Sequence, residues 1–442
     1  SHFIGAGLRG DELYEPVITE DQGKAVLVFP ISADMRLFPF RKDPAQVVDQ
    51  IQSLSEDTGK RVITLIEDGE CFGAWNGSGK TLYGEGWLVE FLESLRKLKG
   101  SVVSTRPGAW RIGEREYQKR YFPCTSYEEM MKWTLPVERR QEFDKLQRGK
   151  LSKNSRAYLR GGYFRQFLSK YTESNLLYAK MMHAHVLVNQ IRGDKSLKKA
   201  AREELWRGED HSAYWHGKRG GIYSNPIRKA AYCSLISAEK MSRQRGVFRS
   251  HISTEDFDMD GLTEYLYHGN ELNMYVHRNG GMAFELDYLS RPWNYLDTFT
   301  RKREYFQEII DGGQVADPYP RKAFLDHFMR KDEQISNFDR MTHSELGNFL
   351  TMPYDVKECR RDHMELVFAA DGLVGKNGSR IPVSIEKRYR MKRNSIVVEY
   401  GITNRGTAPV EECFGSEINL SFASMDELQL SIQKKDSEKS IK

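Results

Sequence analysis

The stretch Arg61 to Trp75, RVITLIEDGECFGAW, decides how the chain is read. Val62 to Ile66 is an unbroken apolar run rich in β-branched residues, the composition of a strand buried on both faces of a parallel sheet. It turns polar at Glu67, Asp68 and Glu70, with Gly69 between them and Phe72, Gly73 and Trp75 just beyond. In α/β architectures chemistry gathers at the carboxyl ends of strands, so a functional turn is expected here. Sugar cleavage needs such a set. One carboxylic acid protonates the departing glycosidic oxygen, a second carboxylate attacks or stabilises the anomeric carbon, and aromatic faces hold the rings. Asp68 is the candidate proton donor, because neighbouring negative charge opposes its ionisation. The same residues also read as a solvated Asp-Gly turn leaving a strand, and the motif alone leaves both readings open.

On either side the pattern alternates. Lys24 to Ile31, KAVLVFPI, reads as a second buried strand, and Pro44 to Ser55 carries Val47, Val48, Ile51 and Leu54 at helical spacing with Pro in the first turn. The helix GWLVEFLESLRKL follows, stopped by Gly100, and then a short strand from Val102 to Thr105. Strand, helix, strand, helix, strand predicts a parallel sheet or barrel with right-handed crossovers. From about Arg106 helical segments take over, with Ser174 to Ile191, Lys195 to Trp206 and Pro226 to Met241 the clearest and the basic stretch 143–161 an exposed connection. After Gly246 come short alternating runs, among them LNMYVHR, MAFELDYL, VSIEKRYRM, SIVVEYGIT and INLSF, which predict an all-β sandwich. The charged tail from Asp426 is expected to fray or to mark a truncated strand.

Composition narrows the classes. With 39% hydrophobic and 29% charged residues over 442 positions, the chain is that of a globular protein of two or three domains. The absence of an 18-residue apolar run excludes a spanning helix, and no signal peptide is visible, so the cytoplasm is the expected compartment. Five scattered cysteines without a CxxC pair argue against a disulfide framework and a zinc knuckle. A net charge of +5, spread along the chain, gives little ground for a nucleic-acid module, and neither nucleic acid nor membrane is expected as a partner. The chain opens with Ser1 and reads as already in mid-fold at His2-Phe3, so a fragment is expected.

Two further stretches stand out. SAYWHGKRGGIY, residues 212–223, sets Trp215 and His216 on a Gly-flexed loop where they could stack on a sugar and hydrogen-bond its hydroxyls. A phosphate-cradling loop around Lys218 and Arg219 and a loop packing Trp215 on the core are the rival readings. Asp256, Asp258 and Asp260, followed by Gly261 and Glu264, place oxygens at alternate positions as a calcium-wrapping loop does. Tyr267 stands where an EF-hand needs its bidentate glutamate, so structural calcium is weighed against a hydrogen-bonded turn, with the turn preferred. His183, His185, His268, His277, His327 and His363 show no metal-ligand spacing.

IEDGECFGAW, WLVEFLESL and AYWHGKRGGIY together resemble the motifs of glycoside hydrolase family 57, in particular its 4-α-glucanotransferases and amylases. HFIGAGL, YEEMMKWTLP, FDMDGLTEYL, FELDYLSRPWNYLDT and FGSEINLSF follow that family's order, so the resemblance covers nearly the whole chain. It implies a multidomain α/β plus all-β fold: the C-terminal part of an incomplete (β/α)7 barrel over 1–107, a helical domain completing the active-site wall over 108–246, and a β-sandwich over 247–442. Asp68 falls on the family's general acid/base, Glu70 and Trp75 on the sugar-lining positions of the same block, and Trp215 and His216 on the YWHG block. Phe72 and His2 complete the expected substrate-binding set. The implied reaction is retaining and needs no cofactor; its glutamate nucleophile is expected upstream of His2. Asp210, His211 and Ser212 depart from the family's usual Cys-Asn-Asp or Cys-Asn-Cys. A 4-α-glucanotransferase acting on α-glucans is the expected function, with an α-amylase-type hydrolase or a non-catalytic glucan-binding remnant as alternatives.

Overall fold

A computed structural model describes residues 2–31, 42–56, 59–110, 116–126, 128–149, 155, 159–217, 220–243, 247–304, 316–375 and 380–423. The expectation for the tail from Asp426 lies outside these residues. The chain divides into two units, Ser1–Arg165 and Gln166–Lys442.

In the first unit the helices Pro44–Ser53 and Trp87–Lys97 form as their apolar spacing predicts. Val47, Val48 and Ile51 of one pack with Trp87 and Phe91 of the other and with Leu82, and Ile63 and Val102 lie against this core. The Trp87 indole N–H donates to the Lys42 carbonyl at 3.0 Å, which satisfies the polar end of a buried ring.

The two expected buried strands are corrected here. Lys24–Val28 pairs antiparallel with Val17–Asp21 across a turn in which Gln22 and Gly23 both have positive φ, and its Lys24, Ala25 and Val26 are exposed. Val62 to Ile66 is no strand: its ladder contact is one parallel bridge from Thr64 to Ile31, and Ile66 is 55% exposed. Val102 likewise holds a single parallel bridge, to Lys99, and Val103 is exposed. An apolar run becomes a buried strand where neighbours supply both hydrogen-bond edges and both faces are covered; Ile63 and Val102 pack against the helices, whereas Leu65, Ile66 and Val103 are exposed. The basic stretch 143–161 is also revised, since Val137–Arg148 is helical and Phe143 is buried in it.

The second unit is layered. Among its described residues, one antiparallel sheet runs in the order Cys413–Ile418, Ala323–Met329, Ala283–Tyr288, Leu272–Val276, Glu264–His268, His251–Glu255, with Trp293–Asn294 added to Ala283–Tyr288. A four-stranded antiparallel sheet runs Asp355–Arg360, Glu365–Val374, Ile381–Met391, Ile396–Asn404. Both send side chains into one core, including Tyr267, Met274, Val276 and Phe328 from the first and Phe368, Val383, Ile385 and Tyr389 from the second. This is the expected sandwich, and Val383, Ile385, Lys387, Tyr389 and Met391 alternate inward along their strand as a period of two requires.

The helices Thr172–Gln190, Lys195–Gly208 and Asn225–Ser242 agree with the sequence expectation to within three residues at each end. Leu176 and Ala179 of the first pack against Leu266, Tyr275 and Phe284 of the larger sheet, on the face away from the smaller one. A β-carbon on Gly208 would lie 2.4 Å from Leu235 Cδ2, so two helices meet there too closely for a side chain. No described helix is long and apolar enough to cross a membrane.

Candidate active site

Asp68 leaves an extended segment and caps the 3-10 turn Gly69–Phe72, its carbonyl accepting the Cys71 N–H at 3.0 Å. The Glu70 carbonyl then takes the N–H groups of both Ala74 and Trp75 at 2.9 Å. That bend needs Gly73 at φ 137°, a backbone state that a side chain would oppose. Buried Cys71, Ser78 and Leu82 hold the inner side of the turn. Ser78 Oγ donates to the Trp75 carbonyl at 2.7 Å, and the Tyr83 hydroxyl donates to the Phe72 carbonyl at 3.0 Å.

The outer side carries the expected residues together: Asp68, Glu70, Phe72 and Trp75 are all exposed on this one turn. Burial pushes the Cys71 thiol up, and the negative charges of Glu67, Asp68 and Glu70 push it the same way, so all three carboxylates crowd the same short turn. The arrangement offers carboxylates for proton transfer or for hydroxyl hydrogen bonds beside two aromatic surfaces.

The other candidates lie elsewhere. His2, in the same unit, is half-buried, its Nε2 2.5 Å from the Ser126 carbonyl oxygen and 3.3 Å from the Gly161 nitrogen, and burial lowers its pKa. Trp215 and His216 belong to the second unit, where Trp215 packs its ring 5.2 Å from Phe167 and its carbonyl accepts the Ile222 N–H. His216 pairs through its backbone with Gly221 in a two-residue ladder. Lys218 and Arg219, the core of the phosphate-loop reading, lie outside the described residues.

The Asp256 loop splits into two roles. Asp256 accepts the N–H groups of Asp260 and Gly261 at 3.0 and 3.1 Å and so shapes the turn. Asp258 and Asp260 instead gather with Glu264 and His277, their ligand atoms lying within 4.8 Å of one another. His183, Glu239 and His268 form a second such group, and His327, His343 and Glu345 a third. Sequence spacing showed Asp258, Asp260 and Glu264 but not His277, nor the other two groups, because those residues meet from distant parts of the chain.

Sequence reading also missed a buried ionic centre. Lys180 Nζ lies 2.8 Å from Glu239, 2.7 Å from Glu285 and 2.6 Å from Asp287, with all four side chains sealed from solvent. Burial opposes the lysine's charge, yet Asp287, Glu239 and Glu285 overcome it and hold Lys180 well above the ordinary range. Burial, reinforced by the neighbouring charge of Asp287, pushes Glu285 up. The signal was a lysine in the apolar stripe Leu176, Leu177, Ala179, Ala184, Val188.

Comparison with known proteins places the chain. The alpha-amylase/4-alpha-glucanotransferase middle-domain model matches residues 162–242, and the C-terminal model of the same enzymes matches 256–315 and 306–441. An alpha-amylase of Pyrococcus horikoshii is 31% identical over 436 residues, covering 95% of this chain and 64% of that protein. A 4-alpha-glucanotransferase of Thermococcus kodakarensis is 29% identical over 469 residues, covering 96% and 66%. The crystal structure of 4-alpha-glucanotransferase from Thermococcus litoralis superposes with a TM-score of 0.76 at 28% identity, over 95% of this chain and 64% of that one. The chain thus spans just under two thirds of the length of the relatives it matches. On the match of both domain models, the aligned sequences and the shared fold, the chain belongs to the alpha-amylase/4-alpha-glucanotransferase family, glycoside hydrolase family 57.

Proposed function

We propose that this chain is part of a retaining enzyme acting on α-glucans, a 4-α-glucanotransferase in preference to a hydrolase, with Asp68 as its general acid/base. The observation that carries the reading is the turn 67–75, which exposes Asp68 and Glu70 beside Phe72 and Trp75 on a backbone held from its inner side. In the first step Asp68 gives its proton to the glycosidic oxygen as that bond breaks and a glutamate carboxylate, expected outside residues 1–442, bonds to the anomeric carbon. In the second, Asp68 takes the proton of a sugar hydroxyl or of water as that oxygen displaces the glutamate. Glu70, Phe72, Trp75, Trp215, His216 and His2 are the proposed substrate contacts, aromatic faces against rings and polar groups on hydroxyls.

The same reading divides the chain into a partial (β/α)7 barrel over 1–107, a helical wall over 108–246 and the sandwich domain. The parallel bridge from Ile31 to Thr64 supports the first part. α-Glucans are the proposed partners, with no cofactor required for the chemistry.

The test is incubation of the natural full-length protein with maltotriose. Products longer than maltotriose support transfer; glucose and maltose alone support the hydrolase named among the relatives. Asp68→Asn should keep the fold and lower turnover by a factor on the order of 10³. A loss of less than about tenfold would remove Asp68 from the acid/base role.

A further inference from the structure

The hairpin His251–Glu255 to Glu264–His268 carries the loop 256–263, which is pinned at both ends. Phe257 is buried among Leu176, Ala179, Leu266, Tyr275 and Phe284, and Asn175 Nδ2 donates to the Asp258 carbonyl at 2.5 Å. Asp256 closes the turn, with Met259 at φ 63° and Gly261 at φ 90°. The side chains of Asp258 and Asp260 thereby converge with Glu264 of the following strand.

Glu264 gives the independent sign that something else belongs there. Its side chain is 0% exposed, and while Oε2 accepts the Phe257 N–H at 2.7 Å, Oε1 accepts no hydrogen bond. Asp258 Oδ1 is also buried without one. Carboxylate oxygens withdrawn from water in this way cost stability unless a positive partner meets them. His277 is an incomplete answer. Its Nε2 lies 3.2 Å from Asp260 Oδ2 and 3.4 Å from Glu264 Oε1, but its Nδ1 accepts the Asn279 N–H at 2.8 Å, which leaves the ring proton on Nε2. The imidazole therefore donates one hydrogen bond toward three carboxylates and offers no lone pair to a metal.

We propose that Asp258, Asp260 and Glu264 bind a hard divalent cation of the calcium class, with His277 Nε2–H as an outer hydrogen-bond donor to the ligating oxygens. An all-oxygen, carboxylate-rich donor set on a flexible-geometry loop suits calcium, and the exclusion of the imidazole disfavours zinc. The ion would fasten the hairpin loop to the strand Glu264–His268.

The test uses the chelator-treated, dialysed full-length protein, titrated separately with calcium, magnesium and zinc chlorides, with bound metal measured by mass spectrometry and Tm by calorimetry. The expected result is about one calcium per chain and a rise in Tm of several degrees, as binding to the folded state requires. Asp258→Asn and Glu264→Gln should each lose both effects, and calcium-free Glu264→Gln should melt at or above calcium-free wild type because a buried charge is gone. Asp256→Asn, which keeps an oxygen acceptor for the turn, should retain the ion. Less than about 0.1 calcium per chain at millimolar calcium, an undiminished Tm rise in Glu264→Gln, or zinc bound in preference to calcium would each overturn the assignment.

Discussion

Glu67, Asp68 and Glu70 in the first unit and Glu239, Glu285 and Asp287 in the second are nearly the same chemical inventory under opposite conditions. The first three crowd one short turn, with Asp68 and Glu70 open to water. The second three surround one buried lysine, and one oxygen of each lies 2.6 to 2.8 Å from its Nζ. Carboxylates around Lys180 are committed to the fold, since removing the lysine would leave negative charge in a medium that cannot solvate it. Asp68 and Glu70, exposed on their turn, cost the fold little and stand where a ligand can reach them. Charge clustering by itself therefore says nothing about function; solvent access separates the two.

The sharpest way to break this contrast is to remove the lysine. Lys180→Met should cost about 3 to 5 kcal/mol in urea unfolding at neutral pH, because it strands buried carboxylates. A loss below about 1 kcal/mol would mean that the centre relaxes by taking up protons and is not committed to stability.

A second buried charge tests whether the contrast is general. Burial opposes the charge on His327, but hydrogen bonds to Glu345 and Glu417 overcome it and raise its pKa to about 9. The unfolded histidine titrates near 6.5, so the folded state holds the proton more tightly. The resulting stability, at most roughly 3 kcal/mol, is fully present below pH 6.5 and is lost as pH rises through about 9. Unfolding free energies of wild type and His327→Gln should converge between pH 6 and pH 10. A gap that stays constant would show that packing, not charge, sustains the site.

Glu285 sharpens the picture further, since burial and the adjacent Asp287 oppose its charge. Glu285→Gln should cost no more than about 1 kcal/mol, far less than Lys180→Met. Equal losses would show that the centre needs the charge of Glu285 as much as that of Lys180. The smallest stability effect belongs to the exposed turn: Asp68→Asn should leave the unfolding free energy within about 0.5 kcal/mol of wild type, whatever it does to turnover. A larger loss would make Asp68 a structural carboxylate and dissolve the comparison.

Local periodicity carried much of the architecture. The helices over 172–190, 195–208 and 225–242 and the strands of the sandwich were legible because 3.6-residue and two-residue patterns each bury one face, and that burial is what holds them. The same reasoning misjudged Val62 to Ile66 and Lys24 to Ile31. An apolar run records that a segment prefers to be covered, whereas strand formation also depends on which backbones lie alongside; Thr64 meets Ile31 at a single bridge and Val26 stays exposed. At the candidate site the turn 67–75 was visible as a contiguous motif, and Asp68, Glu70, Phe72 and Trp75 are each exposed on it.

By itself, then, the sequence determined what is encoded within one element: helix and strand periods, the Asp68 turn, the Trp215 loop and the order of motifs that marks family 57. Tertiary structure alone decided which distant residues meet. It set Lys180 of a helix against Glu285 and Asp287 of a strand, and His277 beside the loop carboxylates of Asp258 and Asp260. The physical reason is that periodicity reports only whether a side chain is covered, whereas the charge it keeps or the partner it takes is set by groups that the fold brings within about 4 Å from far along the chain.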